Sequence, residues 1–257
     1  MIKKYVLALS IAFFGCATEK QIMKHPLDKS ETRSFVLDSG LKVHLHSDPN
    51  FNLSAASMSV EVGSYEDPAD REGLSHFLEH MLFLGTEKYP DVDEYSTYLK
   101  SNGGMSNAYT SRDHTNYQFQ VLPDAFDGAL DRFAQFFIGP LFTEEYTARE
   151  VNAVNSEYQK NVMSDGWRQF RMQGLFAKEG HPAAQFNIGN LETLGDIDRT
   201  ELIDFYNKHY SANRMGLALL STHSLDEMEA WARKHFSAVK NLNLERNVHD
   251  PNLVEDK

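Results

Sequence analysis

Residues 73–86 read Gly-Leu-Ser-His-Phe-Leu-Glu-His-Met-Leu-Phe-Leu-Gly-Thr, and this stretch says the most about the fold of the chain. Its apolar residues recur at helical spacing until Gly85, so it predicts a helix. Each residue of a helix advances by about 100°, which places His76 and His80 about 40° apart on one face. Two imidazoles one turn apart can reach a single metal ion at roughly 2.0–2.1 Å. The stretch therefore predicts a helix that carries two metal ligands.

Glu79 lies in the same helical turn, about 60° from His76 on the other flank. A carboxylate at this place can contact a water molecule on the metal without binding the metal itself. The order of these residues is the inverse of the His-Glu-x-x-His arrangement, and both place an acid beside the same water. Zinc lowers the pKa of such a water toward ~7, so Glu79 is the predicted general base. The alternative is an ordinary helix whose histidines make surface contacts.

A catalytic zinc site also needs a third protein ligand and one open position. A long helix, predicted at about residues 143–163, offers Glu150 and Glu157 nearly in register on one face. The apolar neighbours Val151 and Val154 indicate that this face is not freely solvated. Spacing alone does not select one glutamate, because most helical glutamates are exposed surface residues.

Strand and helix patterns alternate along the rest of the chain. Short β-prone runs occupy residues 34–37, 41–46, 53–62, 105–110, 115–121 and 215–220. Helical patterns cover residues 91–100, 123–137, 167–178, 198–209 and 225–236, with capping boxes beginning at Asp91 and Asp198. These patterns predict an α+β fold in which helices back one face of a single antiparallel-rich mixed sheet.

The first residues have the pattern of a lipoprotein signal peptide. Lys3 and Lys4 precede an apolar run at residues 5–14, which is too short to span a bilayer. The pair Gly15-Cys16 resembles a bacterial lipoprotein cleavage box, although Phe13 stands where leucine is usual, and Cys16 is the only cysteine of the chain. We expect lipid on Cys16 to hold the protein to a membrane surface in the bacterial cell envelope, facing the periplasm or exported. The alternative is a plain secretory signal with an incidental cysteine.

The sequence predicts one folded domain. We expect the signal peptide at residues 1–16, a polar tether at 17–33, the domain at 34–240, and a linker or truncated end at 241–257. The formal net charge of −12 argues against non-specific nucleic-acid binding, which needs a basic surface.

Residues 73–86 strongly resemble the insulinase/pitrilysin family of inverzincin metallopeptidases, and several further segments do so in the same order. These are residues 106–111 (Ser-Asn-Ala-Tyr-Thr-Ser), 114–117 (His-Thr-Asn-Tyr), 128–137, and 149–157 (Arg-Glu-Val-Asn-Ala-Val-Asn-Ser-Glu). The resemblance runs from about residue 35 to residue 239 and looks closest to the long, insulin-degrading branch. It implies the N-terminal catalytic domain of such a peptidase, with a half-barrel-like α+β fold and one zinc ion per chain.

The resemblance also implies roles for residues that spacing does not select. By this similarity Glu157 is the third zinc ligand beside the two histidines, and Glu150 is an acid that supports the site. The strand with Asn107 and Ala108 resembles the edge to which substrate adds as an extra strand, through main-chain hydrogen bonds that tolerate many sequences. Without the resemblance, a turn residue is the better interpretation of Asn107.

The function expected from these features is a zinc metalloendopeptidase that hydrolyses unfolded peptides. In the family, a tyrosine and an arginine from a C-terminal half hold the substrate near the metal. The chain ends at Lys257 after one domain, so we expect weak cleavage unless a separate C-terminal half or partner subunit is present. Two other classes compete with this one, a peptide-binding half without catalysis and an envelope zinc-binding lipoprotein. The presence of Glu79 speaks against both, because a pure binder needs no general base.

Overall fold

The computed structural model describes residues 24–254, so the predicted signal peptide and Cys16 lie outside the described residues. Within this range the strands are Glu31–Val36 (β1), Lys42–Ser47 (β2), Ser54–Val60 (β3), Met105–Thr110 (β4), Thr115–Val121 (β5) and Met215–Ser221 (β6). The helices are Leu74–Met81 (α1), Glu94–Ser101 (α2), Phe126–Gln135 (α3), Glu144–Asn161 (α4), Asp165–Gly174 (α5), Leu191–Leu194 (α6), Arg199–His209 (α7) and Leu225–Phe236 (α8). None of the helices in residues 24–254 has the length and apolar character needed to cross a membrane.

The six strands form one mixed sheet in the order β1-β2-β6-β3-β5-β4. Only β2 and β6 pair in parallel, and the other four pairings are antiparallel. β1 and β4 are the edge strands of the sheet. The prediction of an α+β fold with an antiparallel-rich mixed sheet is confirmed.

One face of the sheet forms the hydrophobic core together with the helices. Along β5 the side chains of Tyr117, Phe119 and Val121 are buried, whereas Gln118 between them is exposed. This alternation follows from the two-residue period of a strand, and it directs every second side chain toward the helices. The core cluster contains residues of α1, α3, α4, α7 and α8. The sheet thereby gives α1 and α4, the two helices that carry the predicted metal ligands, a common support.

Both ends of the described range pack more closely on the domain than the sequence patterns predict. β1 begins at Glu31, inside the predicted tether, because Glu31 pairs with Ser47 of β2. At the other end, residues 241–254 form no helix or strand but follow the domain surface. There the amide of Asn213 donates to the carbonyl of Leu244 at 2.8 Å, and His249 Nε2 lies 3.0 Å from Glu66 Oε1. The predicted linker therefore contributes contacts to the domain over its described part.

Three local predictions differ from the structure. The capping box at Asp91 is wrong, because α2 begins at Glu94 with Asp93 as the preceding residue and without a side-chain cap. The Asp91 carboxylate instead accepts a hydrogen bond from the N–H of Asp93 at 3.0 Å. α5 ends at Gly174, earlier than predicted, and the short helix α6 was not predicted. The capping box at Asp198 is present at the beginning of α7.

Candidate metal centre and active site

α1 holds the predicted metal ligands at a fixed place because its other face is anchored in the core. The buried residues on that face are Leu74, Phe77, Leu78 and Met81. The helix begins after Gly73, which has a φ of 88°, and a Cβ atom there would lie 2.3 Å from the Cα of Gly189. Only glycine adopts this conformation at such a close approach without strain. The same contact brings the segment around Gly189 beside the first turn of α1.

The side chains of His76, His80 and Glu157 converge between α1 and α4. One ligand atom from each lies within 4.8 Å of the others, and Glu157 Oε2 is 3.6 Å from His76 Nε2 and 3.7 Å from His80 Nε2. Two imidazole nitrogens and one carboxylate oxygen are a donor set that catalytic zinc sites use, with a fourth position left open. The three residues therefore fit a zinc ion by donor type and by arrangement.

Hydrogen bonds on the far side of each imidazole turn the Nε2 atoms toward this cluster. His76 Nδ1 lies 2.9 Å from the carbonyl oxygen of Ile188, which can only accept a hydrogen bond, so Nδ1 carries the proton and Nε2 is free to bind a metal. His80 Nδ1 lies 3.4 Å from Glu150 Oε2. Such outer partners fix the tautomer and orientation of metal-binding histidines. The structure thus places Glu150 behind His80, and Ile188 has the same position behind His76.

The two carboxylates make the cluster electrostatically suited to a cation. Burial lowers the pKa of His80, but hydrogen bonds to Glu150 and Glu157 outweigh this effect and raise the pKa to about 9. Burial and the nearby charge of His80 hold the pKa of His76 below its ordinary value. The hydrogen bonds from His80 in turn lower the pKa of both glutamates. A metal ion bound here would replace the proton of His80, because imidazole binds metals in its neutral form.

Glu79 stands between the two histidines in the sequence of α1 and is only 6% exposed. The hydroxyl of Thr110, the last residue of β4, donates a hydrogen bond to Glu79 Oε2 at 2.6 Å. Burial raises the pKa of Glu79 to about 7, and the hydrogen bond from Thr110 opposes this rise. A carboxylate with a pKa near neutrality is well suited to accept a proton at physiological pH.

Asn107 and Ala108 lie outside the three-residue cluster, in β4 at the edge of the sheet. They pair with Gln118 and Tyr117 of β5, and among the described strands β4 has no partner on its outer side. The same strand ends at Thr110, which contacts Glu79. The free edge of the sheet therefore leads directly to the candidate base.

A pocket of about 700 Å³ opens beside the end of β4, and the sequence patterns did not predict it. Its aromatic walls come from Tyr109, Trp167 and Phe170, and the guanidinium of Arg112 lies 4.8 Å from the centre of the Phe170 ring. Because β4, α5 and the loop at Asn187 are far apart in sequence, no local pattern could show that they share a pocket. The aromatic residues at the beginning of α5 are the only sequence signal for it.

Comparison with known proteins identifies the same family that the sequence motifs resemble. The model of the insulinase family, peptidase family M16, matches residues 42–178, which contain His76, Glu79, His80 and Glu157. The model of the peptidase M16 inactive domain matches residues 196–256. The first match covers more than half of the chain.

Individual relatives agree with the family models. The chain is 50% identical over 230 residues to insulin-degrading enzyme-like 1, peroxisomal, of Arabidopsis thaliana, covering 87% of this chain and 24% of that protein. It is 47% identical over 222 residues to the putative zinc protease mug138 of Schizosaccharomyces pombe, covering 84% of this chain and 23% of that protein. The crystal structure of pitrilysin superposes with a TM-score of 0.88 at 36% identity, covering 92% of this chain and 26% of that chain.

The chain spans about a quarter of the length of these relatives. The matched quarter contains the cluster of two histidines and one glutamate described above. With a family model matching residues 42–178 and a pitrilysin-like fold, this chain belongs to the insulinase family, peptidase family M16.

Proposed function

We propose that this chain is the zinc-binding catalytic domain of a metalloendopeptidase that hydrolyses unfolded peptides. The observation that carries the proposal is the convergence of His76, His80 and Glu157 around one point, with Glu79 on the same helix as the histidines. Zinc is the metal that the zinc protease relative implies, and we propose one zinc ion per chain.

Each polar residue of the site has a separate part in the proposed reaction. His76, His80 and Glu157 would hold the zinc ion, which when bound would act as a Lewis acid that polarises a carbonyl group and lowers the pKa of a water molecule. Glu79 accepts a proton from the attacking water and passes it to the leaving amine. Glu150 keeps His80 in the orientation that presents Nε2 to the metal.

The edge strand β4 gives the site a way to bind peptides of many sequences. An extended peptide can add to this edge beside Asn107 and Ala108 through main-chain hydrogen bonds. Its path then leads past Thr110 to Glu79, with the aromatic pocket beside it to receive a side chain. Because a folded protein seldom offers a free extended segment, we propose unfolded peptides as the substrate class.

We further propose that other M16 domains cover the opposite side of the bound peptide, on the same polypeptide or on a partner subunit. The four-fold greater length of the relatives and the match to an inactive M16 domain support this. Closing a site excludes water and strengthens the stabilisation of a developing oxyanion. The competing function is a peptide-binding or zinc-binding half-enzyme that is inactive by itself.

We also propose that the protein is anchored in the bacterial envelope by lipid on Cys16, which lies outside the described residues. The support comes from the sequence alone, namely Lys3, Lys4, the apolar run at residues 5–14 and the pair Gly15-Cys16. The anchor would place the catalytic domain at a membrane surface without a spanning helix.

The experiment that tests the catalytic proposal is turnover of an internally quenched peptide by the purified chain, with and without an M16 C-terminal half added in trans or fused after residue 257. We expect the chain alone to bind zinc and to cleave slowly. The added half should raise turnover by about 10²-fold or more, as the gain of oxyanion donors does elsewhere. Rapid cleavage by the chain alone, abolished by Glu79→Gln, would show that the domain is self-sufficient. Absence of cleavage in both cases would favour the binding half.

A further inference from the structure

The loop before α1 contains a buried carboxylate that the proposed reaction does not use. Asp67 is 7% exposed and follows a 3-10 turn at Ser64–Glu66. Its Oδ2 accepts a hydrogen bond from the N–H of Gly73 at 2.9 Å. Its Oδ1 accepts from the N–H of Ser75 at 2.8 Å and lies 2.6 Å from the Ser75 hydroxyl. All of the hydrogen bonds of this carboxylate therefore go to the beginning of the helix that carries the metal ligands.

Asp67 supplies a cap that the residue preceding α1 cannot supply itself. The first N–H groups of a helix have no partner within the helix, and a side chain of the preceding residue usually accepts from them. In α1 that residue is Gly73, which has no side chain to accept these hydrogen bonds, adopts a left-handed backbone and packs closely on Gly189. The acceptor comes instead from Asp67, earlier in the chain, where the helix dipole also favours a negative charge.

The same group of hydrogen bonds ties α1 to the edge strand. The hydroxyl of Ser75 also lies 2.7 Å from the carbonyl oxygen of Gly63. Next to Gly63, the N–H of Ser64 donates to the carbonyl of Ser111 at 3.0 Å, just after the end of β4. Thr110, the hydrogen-bond donor to Glu79, directly precedes Ser111. The hydrogen bonds of Asp67 and Ser75, together with that between Ser64 and Ser111, thus connect the first turn of α1 to the end of β4.

We propose that Asp67 is a positioning residue that sets α1 relative to β4 and α4. The proposal rests on the zinc site of the proposed function. His76 directly follows Ser75, so a movement of the first turn displaces its imidazole from Ile188 and Glu157. Burial raises the pKa of Asp67 to about 7, and the hydrogen bonds from Ser75 and Gly73 oppose this rise.

Ser224 provides a matched control, since it caps α8, which packs on α3, β1 and β2 and not on α1. Its exposed side chain accepts from the N–H of Glu227 at the beginning of α8 at 3.3 Å. Ser224→Ala removes this cap and lowers the stability of the protein. Asp67→Asn keeps the size of the side chain but presents an NH₂ group to one of the N–H donors of Gly73 and Ser75. Both variants therefore lose a helix cap, but only Asp67 caps the helix that carries the metal-binding histidines.

The test measures zinc affinity by competition with a chromogenic chelator, together with the Tm of the metal-free chains. We expect Asp67→Asn to weaken zinc binding about tenfold, the lower end of the effect of outer partners on metal affinity. Ser224→Ala should lower the Tm but leave the zinc affinity unchanged. An unchanged affinity in Asp67→Asn, or an equal loss in both variants, overturns the inference.

Ser75→Ala provides a second variant if Asp67→Asn does not fold. It removes the hydroxyl between Asp67 and Gly63 but leaves both backbone hydrogen bonds of the carboxylate. We expect zinc binding to weaken by less than the ~10-fold of Asp67→Asn, because these backbone hydrogen bonds remain, and an unchanged affinity overturns the inference in this case too. A wild-type chain that binds no zinc would overturn the proposed function as well, whereas a zinc-binding wild type beside unaffected variants overturns the positioning role alone.

Discussion

Replacing Glu79 by glutamine separates metal binding from catalysis. The amide has nearly the shape of the carboxylate, and its oxygen can still accept the hydrogen bond that Thr110 donates at 2.6 Å. It cannot accept a proton from the attacking water. Because Glu79 is 6% exposed, little solvent is present to replace the missing base. We expect kcat to fall by about 10²–10⁴-fold, which corresponds to about 3–5 kcal/mol in the activation free energy.

Zinc binding should survive this change, because Glu79 is not one of the three residues whose ligand atoms converge. The assay is turnover of a quenched peptide in the presence of the M16 C-terminal half, with zinc content measured on the same samples. Glu229→Gln on α8 is the control, since Glu229 forms ion pairs with Arg33 and Arg233 rather than contacts with the site. Wild-type turnover by Glu79→Gln would refute the assignment of the base, and loss of zinc would show that Glu79 is needed to hold the metal.

Three further predictions concern the surroundings of the site and the N-terminus. Thr110→Val removes a hydrogen bond that lowers the pKa of Glu79, so the acid limb of kcat/KM should move to higher pH, while Thr110→Ser should leave it in place. Activity should fall as pH drops through this pKa, which is about 7 without metal, because the protonated carboxyl cannot accept a proton. The positive charge of a bound zinc ion would move this pKa to a lower value in all three proteins. Zinc binding near pH 7.5 should release about one proton from His80, whose pKa is about 9 without metal. Calorimetry in buffers of different ionisation enthalpy measures the number of protons released, and a value of zero would contradict the prediction. Lipidated protein should enter the detergent phase and Cys16→Ser should not, whereas identical partitioning would indicate a plain secretory signal.

Local features of the site could be predicted from the sequence because they depend on a single helix. The spacing of His76 and His80 fixes their angle on α1, and the position of Glu79 follows from the same geometry. The approximate ends of most strands and helices could be predicted for the same reason, since the hydrophobic periodicity that marks them lies within each element. The choice of Glu157 over other glutamates needed the family resemblance, because it depends on how α4 crosses α1.

Other features of the site could not be predicted because no local sequence pattern distinguishes the residues that form them. The partner of His76 is a backbone carbonyl, that of Ile188, and every residue has one. Asp67 contacts Gly73 and Ser75 across a loop, outside the spacing of an ordinary capping box. The capping pattern at Asp91 predicts the wrong beginning for α2, because the Asp91 carboxylate accepts from the N–H of Asp93 in a turn that precedes the helix.

The most direct measurement is the zinc content of the purified chain and of variants that lack its proposed ligands. The wild type should retain about one zinc ion per chain after dialysis, as a site with three protein ligands and an open position does. The double variant His76→Ala, His80→Ala should retain none, while a control, His44→Ala, should keep the wild-type content because His44 is an exposed residue of β2. Undiminished zinc in the double variant would show that the metal is held elsewhere and would contradict the proposed centre.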